Sequence, residues 1–309
     1  MPDYSGFARR RGIDMIDICT MTTAFNHRRD GSQISYPESI RRCKAAGFDV
    51  LDLNMCSMDR HDGNELAEED WEERVDAIIE ERDRQDVTFY QTHPPFRKGS
   101  IETFPDPKRE KFYWDMVYRS LDVTARIGAK WAIIHAINDA EDPENIEVQL
   151  EKNHRHFDPV VEYASKLGIG IAFENMVQAK NAVHRFGSLP EEMNALADSF
   201  ACDHVGICWD FGHGNTAIPA RHPEGIRMMG SRLKCVHVDD NLGVIDDHFI
   251  PFRGNIRWEE VMPALKEIDF PGVIDLELSI TGGLPDELKD EAVRFTASIA
   301  RKLQELIYA

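Results

Sequence analysis

Short apolar runs alternate with longer amphipathic segments from one end of the chain to the other. The runs fall at 14–20, 49–54, 87–93, 130–135, 169–174, 205–210, 234–238 and 273–278, each 5–7 residues long. Several are almost continuously apolar, the pattern of strands covered on both faces. Between them, helical spacing predicts helices over 37–46, 65–84, 109–127, 157–167, 190–200, 223–229, 258–268 and 285–306. In the second of these, Leu66, Val75, Ile78 and Ile79 recur near the helical period. Gly47, Gly128 and Gly168 stand just past three of the helices, where a glycine stop is expected.

Strand starts recur eight times, at intervals of roughly 30–43 residues. Strands alternating with helices imply a parallel sheet, because parallel neighbours need a crossover. Eight such units predict an α/β fold, a single-domain (β/α)8 TIM barrel over 1–309, ahead of an open doubly wound sheet. Neither a G-x-G-x-x-G turn after the first strand nor a G-x-x-x-x-G-K-[ST] loop occurs, so the glycine loops of nucleotide binders are missing.

Composition narrows the function classes. With 36 Lys+Arg against 55 Asp+Glu, the 309-residue chain carries a formal charge of −19. That argues against nucleic acid and anionic membrane as partners, both of which reward positive charge. Apolar residues make up 42%, enough for a large core, yet no run of 18 apolar residues suggests a membrane span. The opening MPDYSGFARRRGID has no apolar segment of the secretory type, and the six cysteines form no C-x-x-C pair. Both features predict a reduced, cytoplasmic protein. Twelve histidines are the one compositional excess.

Their positions give that excess a meaning. A barrel interior favours aliphatic residues, and active sites gather at the C-terminal ends of its strands. Here strand three ends at His93, strand four at His135, strand five at Glu174, strand six at Asp210 with His213 close by, and strand seven at His237; strand eight carries Glu277. The loop after strand seven adds Asp246 and His248. Glu174 and Glu277 sit among apolar neighbours, where an unpaired carboxylate is costly. Glu174, Asp210, His237 and Glu277, converging from four successive strands, put three negative charges together. A divalent cation is the economical way to hold them. Other histidines read as structural. His154 and His156 are two apart and so do not share a helix face, while His61, His184, His204 and His222 lie in polar surroundings typical of solvated loops. His27, in the first loop, is close enough in sequence to reach the rim.

On the elements IAFEN, D-F-G-H at 210–213, VHVDDN and DDHFIPFRGNIRW at 246–258, the chain resembles the xylose-isomerase-like barrel superfamily. More narrowly it resembles the sugar phosphate isomerase/epimerase group that includes inosose dehydratase and ketose epimerases. The resemblance spans nearly the whole chain. It implies Glu174, Asp210, His237 and Glu277 as metal ligands, with His213 beside the substrate and His93, His135 and His248 orienting hydroxyls. His248 stands where ketose 3-epimerases usually have an arginine, and Arg253 where related chains often have Glu; Arg253 offers a contact for an anionic substrate group. The oxygen-rich ligand set favours Mn2+, with Mg2+, Co2+ or Zn2+ as alternatives. The implied reaction is isomerisation or epimerisation of a small sugar or polyol-derived substrate. A proton is abstracted beside a metal-bound carbonyl, through an enediolate, with Glu174 and Glu277 as acid/base groups. Inosose-type dehydration begins the same way. Related barrels associate, which implies a homo-oligomer. A second branch of the superfamily resembles endonuclease IV, a three-zinc enzyme acting on abasic DNA. Its nine ligands correspond to His93, His135, Glu174, Asp210, His213, His237, Asp246, His248 and Glu277; net charge and the acidic INDAEDPENIE loop favour sugar chemistry.

Overall fold

The computed structural model describes residues 15–60, 64–96, 104–139 and 141–309. The predicted start of the first strand at residue 14, the opening segment and His61 lie outside them. Eight strands form: β1 (Ile18–Met21), β2 (Val50–Asn54), β3 (Thr88–His93), β4 (Trp131–His135), β5 (Gly170–Glu174), β6 (Val205–Asp210), β7 (Leu233–His237) and β8 (Ile274–Leu276). All pairings are parallel, in the order β7-β6-β5-β4-β3-β2-β1-β8. A parallel bridge between Val238 and Leu276 draws β7 to β8, with the Val238 N–H donating to the Asp275 carbonyl at 2.7 Å. The result is the predicted single-domain (β/α)8 TIM barrel, nearly closed.

The helices are α1 (Tyr36–Ala46), α2 (Trp71–Gln85), α3 (Pro107–Arg126), α4 (Ile146–Leu167), α5 (Pro190–Ser199), α6 (Phe211–Ala217), α7 (His222–Met229), α8 (Trp258–Val261), α9 (Pro263–Glu267) and α10 (Asp286–Ile307). Four regions differ from expectation. α2 begins at Trp71 rather than 65, after a separate 3-10 turn at Glu65–Ala67 capped by the Asn64 side chain on the Leu66 N–H. α4 begins eleven residues earlier than predicted, since 157 − 146 = 11, capped by the Asn145 side chain on the Val148 N–H. Its inner face there carries Gln149 and Asn153, buried polar residues that hold the backbone of Asp139 and Ile137 and hide the apolar period. The segment 258–268 is two short helices, because Pro263 cannot continue the first. α6 has no counterpart among the predicted helices; it starts directly from β6.

Two apolar layers hold the barrel. Leu51, Phe89, Ile134, Phe173, Trp209 and Val236 point outward into the main core under the helices. Cys19, Val50, Tyr90, Ile133, Ala172, Cys208, Cys235 and Val273 form a separate cluster, seven drawn from β1 to β7 and Val273 from the residue before β8. Strand side chains alternate between faces, so this second set fills the lumen. Among the described residues, no helix is long and apolar enough to cross a membrane.

Candidate active site

The alternation that fills the lumen also sets the layer above it. Two residues beyond Ile133, Ala172, Cys208, Cys235 and Val273, on the same face, stand His135, Glu174, Asp210, His237 and Asp275; Glu277 is two further. Parallel register then sets neighbours level: His135 pairs with Glu174 and Asp210 with His237. The aliphatic plug is therefore capped by a polar layer at the mouth.

Glu174 is the hub of that layer. Its Oε1 lies 2.9 Å from His237 Nδ1, and its Oε2 lies 2.9 Å from His135 Nε2 and 3.3 Å from His93 Nε2. Glu277 Oε2 meets the same His237 Nδ1, also at 2.9 Å. Side-chain donor atoms of Glu174, Asp210, His237 and Glu277 all lie within 4.8 Å of one another. Burial alone would raise the Glu174 carboxyl, but the charges of His237 and His135 and their hydrogen bonds hold it well below the usual range. Burial likewise opposes ionisation of Glu277, and His237 outweighs it, bringing Glu277 down to about 2. Asp210 has a weaker partner, His213 Nδ1 at 3.7 Å from its Oδ1. Burial, with Asp246, Glu174 and Glu277 close by, pushes it up to about 6 against the pull of His213.

A divalent ion fits this set. Asp210 Oδ2 is buried without a hydrogen-bond partner, and two carboxylates converge on the one imidazole nitrogen of His237. A buried imidazolium is the counter-charge the chain itself supplies there, and a cation bound by the same donors would take that role and release the proton. His93, His135 and Glu174 form a second convergent group of the same span. A third is made by His213 and His248, whose Nε2 atoms lie 3.3 and 2.9 Å from Asp246 Oδ2, with Asp239 behind His248. Asp246 lies between the two imidazoles; against the opposing effect of burial, Asp210 and Asp246 raise His213 to about 10, and Asp246, Glu277 and Asp239 raise His248 to about 12.

The supports are local. Asp210 caps α6 by accepting the His213 N–H at 2.5 Å, and Asn175 brackets Asp210 with its side-chain carbonyl on the Asp210 N–H and its amide on the Asp210 carbonyl. His213 Nδ1 lies 2.8 Å from the Asn175 carbonyl, which fixes its ring. At Gly212 a Cβ would fall 1.9 Å from Asp239 Oδ1, so only glycine lets α6 pass the β7 loop. That loop folds around Asp240. Its Oδ1 accepts the N–H groups of Asn241 and Ile256, and its Oδ2 those of Phe252 and the Trp258 indole. The 246–258 pattern is thus partly architectural: Trp258 and Ile256 anchor the loop on Asp240, and Gly254 leaves room for the Asn241 carbonyl.

His93, His135, Glu174, Asp210, His213, His237, Asp246, His248 and Glu277 come together at the mouth. Arg253 does not join them; it is exposed, its guanidinium 4.3 Å from the Phe249 ring centroid. His27 is exposed at the rim and lines a cavity that reaches Glu277. The solvated reading fails for His222, which is buried under Phe211 and accepts the Trp209 indole N–H at 2.9 Å. His184 and His204 are half-buried, on Glu192 and on the Ile169 carbonyl. Sequence reasoning misses Asp52, Asp275, Asp239, Asp240 and Asn175. Asp52 and Asp275 lie beneath His237 as a fully buried pair, and only Asp275 Oδ2 is satisfied, by Gln91. Their signal is the one that marks Glu174: a carboxylate at an inward strand position between apolar neighbours.

Comparison with known proteins agrees with this architecture. The family profile described as xylose isomerase-like TIM barrel matches residues 40–299. The chain belongs to that family. It is 29% identical over 205 residues to the uncharacterized protein MJ1311 of Methanocaldococcus jannaschii, covering 66% of this chain and 68% of that one. It is 22% identical over 241 residues to an inosose isomerase of Bacillus velezensis, covering 74% and 82%. The crystal structure of a D-tagatose 3-epimerase-like protein superposes with a TM-score of 0.73 at 21% identity, over 95% of this chain and 98% of that one.

Proposed function

We propose that this protein is a divalent-metal-dependent isomerase or epimerase of a sugar or sugar phosphate, working in the cytoplasm and moving a proton at the carbon beside a carbonyl. The observation that carries this reading is the convergence of Glu174, Asp210, His237 and Glu277 within 4.8 Å of one another. Similarity to an inosose isomerase and to a D-tagatose 3-epimerase-like protein supports the substrate class. A bound divalent ion, Mn2+ first and Mg2+, Co2+ or Zn2+ after it, supplies Lewis acidity that acidifies the C–H beside the carbonyl. Glu174 and Glu277 both reach His237 Nδ1, at 2.9 Å each. One takes the proton and the other returns it, to the neighbouring carbon or to the opposite face. His93 and His135 hold the outer oxygen of Glu174, so its inner oxygen keeps its direction. His213 and His248, steadied by Asp246, face the mouth and orient hydroxyls.

Metal analysis of the purified protein, followed by turnover of a panel of ketoses and inososes before and after chelation, tests the proposal. One ion per chain and activity lost on chelation are expected. Glu174→Gln and Glu277→Gln should each lower turnover about 10²–10⁴-fold with the circular dichroism spectrum unchanged; near-wild-type turnover in either removes the acid/base assignment. A second reading, a three-zinc phosphodiesterase of the endonuclease IV type, is favoured by one observation: His93–His135–Glu174 and the His213–Asp246–His248 group flank the central four. Three zincs per chain and cleavage of an abasic duplex would select it.

A further inference from the structure

A cavity of about 400 Å³ opens between the loops that follow β1 and β8 and reaches the mouth at Glu277 and His248. Small-molecule sites commonly enclose about 300–1,000 Å³. In a chain with 55 acidic and 36 basic residues, the lining carries Arg28, Arg29 and Lys289 and a single carboxylate, Glu277. That carboxylate already belongs to the proposed metal set.

The cations differ in how they are held. Arg28 is engaged by both oxygens of Glu38 at 2.7 and 2.9 Å and approaches Asp286 at 3.7 Å, so it braces the loop. Lys289, on the first turns of α10, is 2% exposed. Its ammonium donates to the His27 carbonyl, and no carboxylate among the described residues comes within ion-pair distance. Asp286 acts on it only from beyond that distance, and burying an ammonium with no counter-ion in contact is unfavourable. Arg29 is exposed beside it and has no ion-pair or hydrogen-bond partner among the described residues. Across the cavity, a Cβ on Gly282 or Gly283 would meet nothing within 4 Å, so their backbone faces open space. Nor do the peptide N–H groups of Gly282 and Gly283 find an acceptor among the described residues. Two cationic groups and two free amides around one space form an anion receptor, since charge-assisted hydrogen bonds to phosphate or carboxylate are the strong ones.

We propose that this cavity takes the anionic end group of the substrate, a phosphate or carboxylate, held by Lys289, Arg29 and the Gly282–Gly283 amides while the carbonyl end lies at Glu277. The proposal rests on the sugar isomerase reading and narrows it to sugar phosphates and sugar acids. A neutral ketose would leave Lys289 and Arg29 without a counter-charge in contact.

Calorimetric binding to the metal-replete protein separates the two ideas, because it needs no turnover. The probes are D-fructose, D-fructose 6-phosphate and D-galacturonate, titrated into wild type, Arg29→Ala and Lys289→Met. At least tenfold tighter binding of the phosphate or of the acid than of D-fructose is expected, with the tighter of the two naming the group. That preference should fall toward unity in Arg29→Ala, a surface change that leaves metal content and melting temperature as they were, and in Lys289→Met if it folds. Equal affinity for the charged and neutral ligands overturns the proposal, as does a preference that Arg29→Ala leaves intact. A charged-ligand preference without turnover of any ketose, ketose phosphate, sugar acid or inosose leaves the receptor standing and removes the isomerase reading instead.

Discussion

Replacing Asp240 by asparagine changes one oxygen for an amide, and four donors register the change. Asn241 N, at 2.9 Å, and Ile256 N, at 3.2 Å, point at Oδ1; Phe252 N and Trp258 Nε1, both at 3.0 Å, point at Oδ2. Whichever way the asparagine turns, two N–H groups face an NH2 and lose their acceptor. Hydrogen bonds to a charged group contribute about 1.5–3 kcal/mol each, so Asp240→Asn should cost about 3–6 kcal/mol. The loop has a reason to let go. His248 and Phe252 are non-glycine residues in left-handed backbone, at φ of +48° and +73°, a strain of about 1–3 kcal/mol apiece that the Asp240 contacts offset. The assay is urea unfolding followed by tryptophan fluorescence, with hydrogen exchange read over residues 241–257. The expected result is fast exchange confined to that loop, together with the stability loss. A loss under about 1 kcal/mol with exchange unchanged would refute the idea that this carboxylate organises the loop bearing Asp246 and His248.

Two further predictions concern the neighbouring helices. Burial pulls His222 down to about 3, so between pH 6.5 and 3 the unfolded chain binds a proton that the folded chain refuses, and stability falls as the pH falls. From pH 7 to pH 5 the His222 contribution is about 2 kcal/mol; denaturation curves at the two pH values should differ by that much less in His222→Gln, which still accepts the Trp209 indole. Gly212→Ala drives a methyl into Asp239 and should destabilise by about 1–3 kcal/mol and lower metal content; a variant with wild-type melting temperature and metal content would show that α6 yields.

Much of this molecule was legible because the barrel reuses one rule. Where an apolar lumen residue is followed two positions later by a polar one, as Ala172 by Glu174 or Cys235 by His237, the polar side chain is carried to the mouth. What escaped depends on contacts remote in sequence. His222 stands among polar neighbours in ARHPE, yet Trp209 and Phe211 arrive from β6 and α6 to cover it. The first half of α4 looks like a loop because Gln149 and Asn153 replace the apolar residues that would have marked its inner face. Asp240 shows four amide partners only after the chain has turned back upon itself.

The carboxyl pair Asp52 and Asp275 bears on how this protein tolerates change over generations. Three of their four oxygens are buried with no hydrogen-bond partner, and burial pushes both groups up toward the neutral acid. Each unmet buried group costs about 1–3 kcal/mol, against a whole-protein stability of about 5–15 kcal/mol. A homologue with aliphatic residues at these two positions would absorb random substitutions that here tip the balance toward unfolding. Lineages carrying the pair should therefore drift slowly in the surrounding core. Anyone altering substrate scope by directed evolution would do well to begin from a stabilised background, reserving the loops after β1 and β8 for diversity.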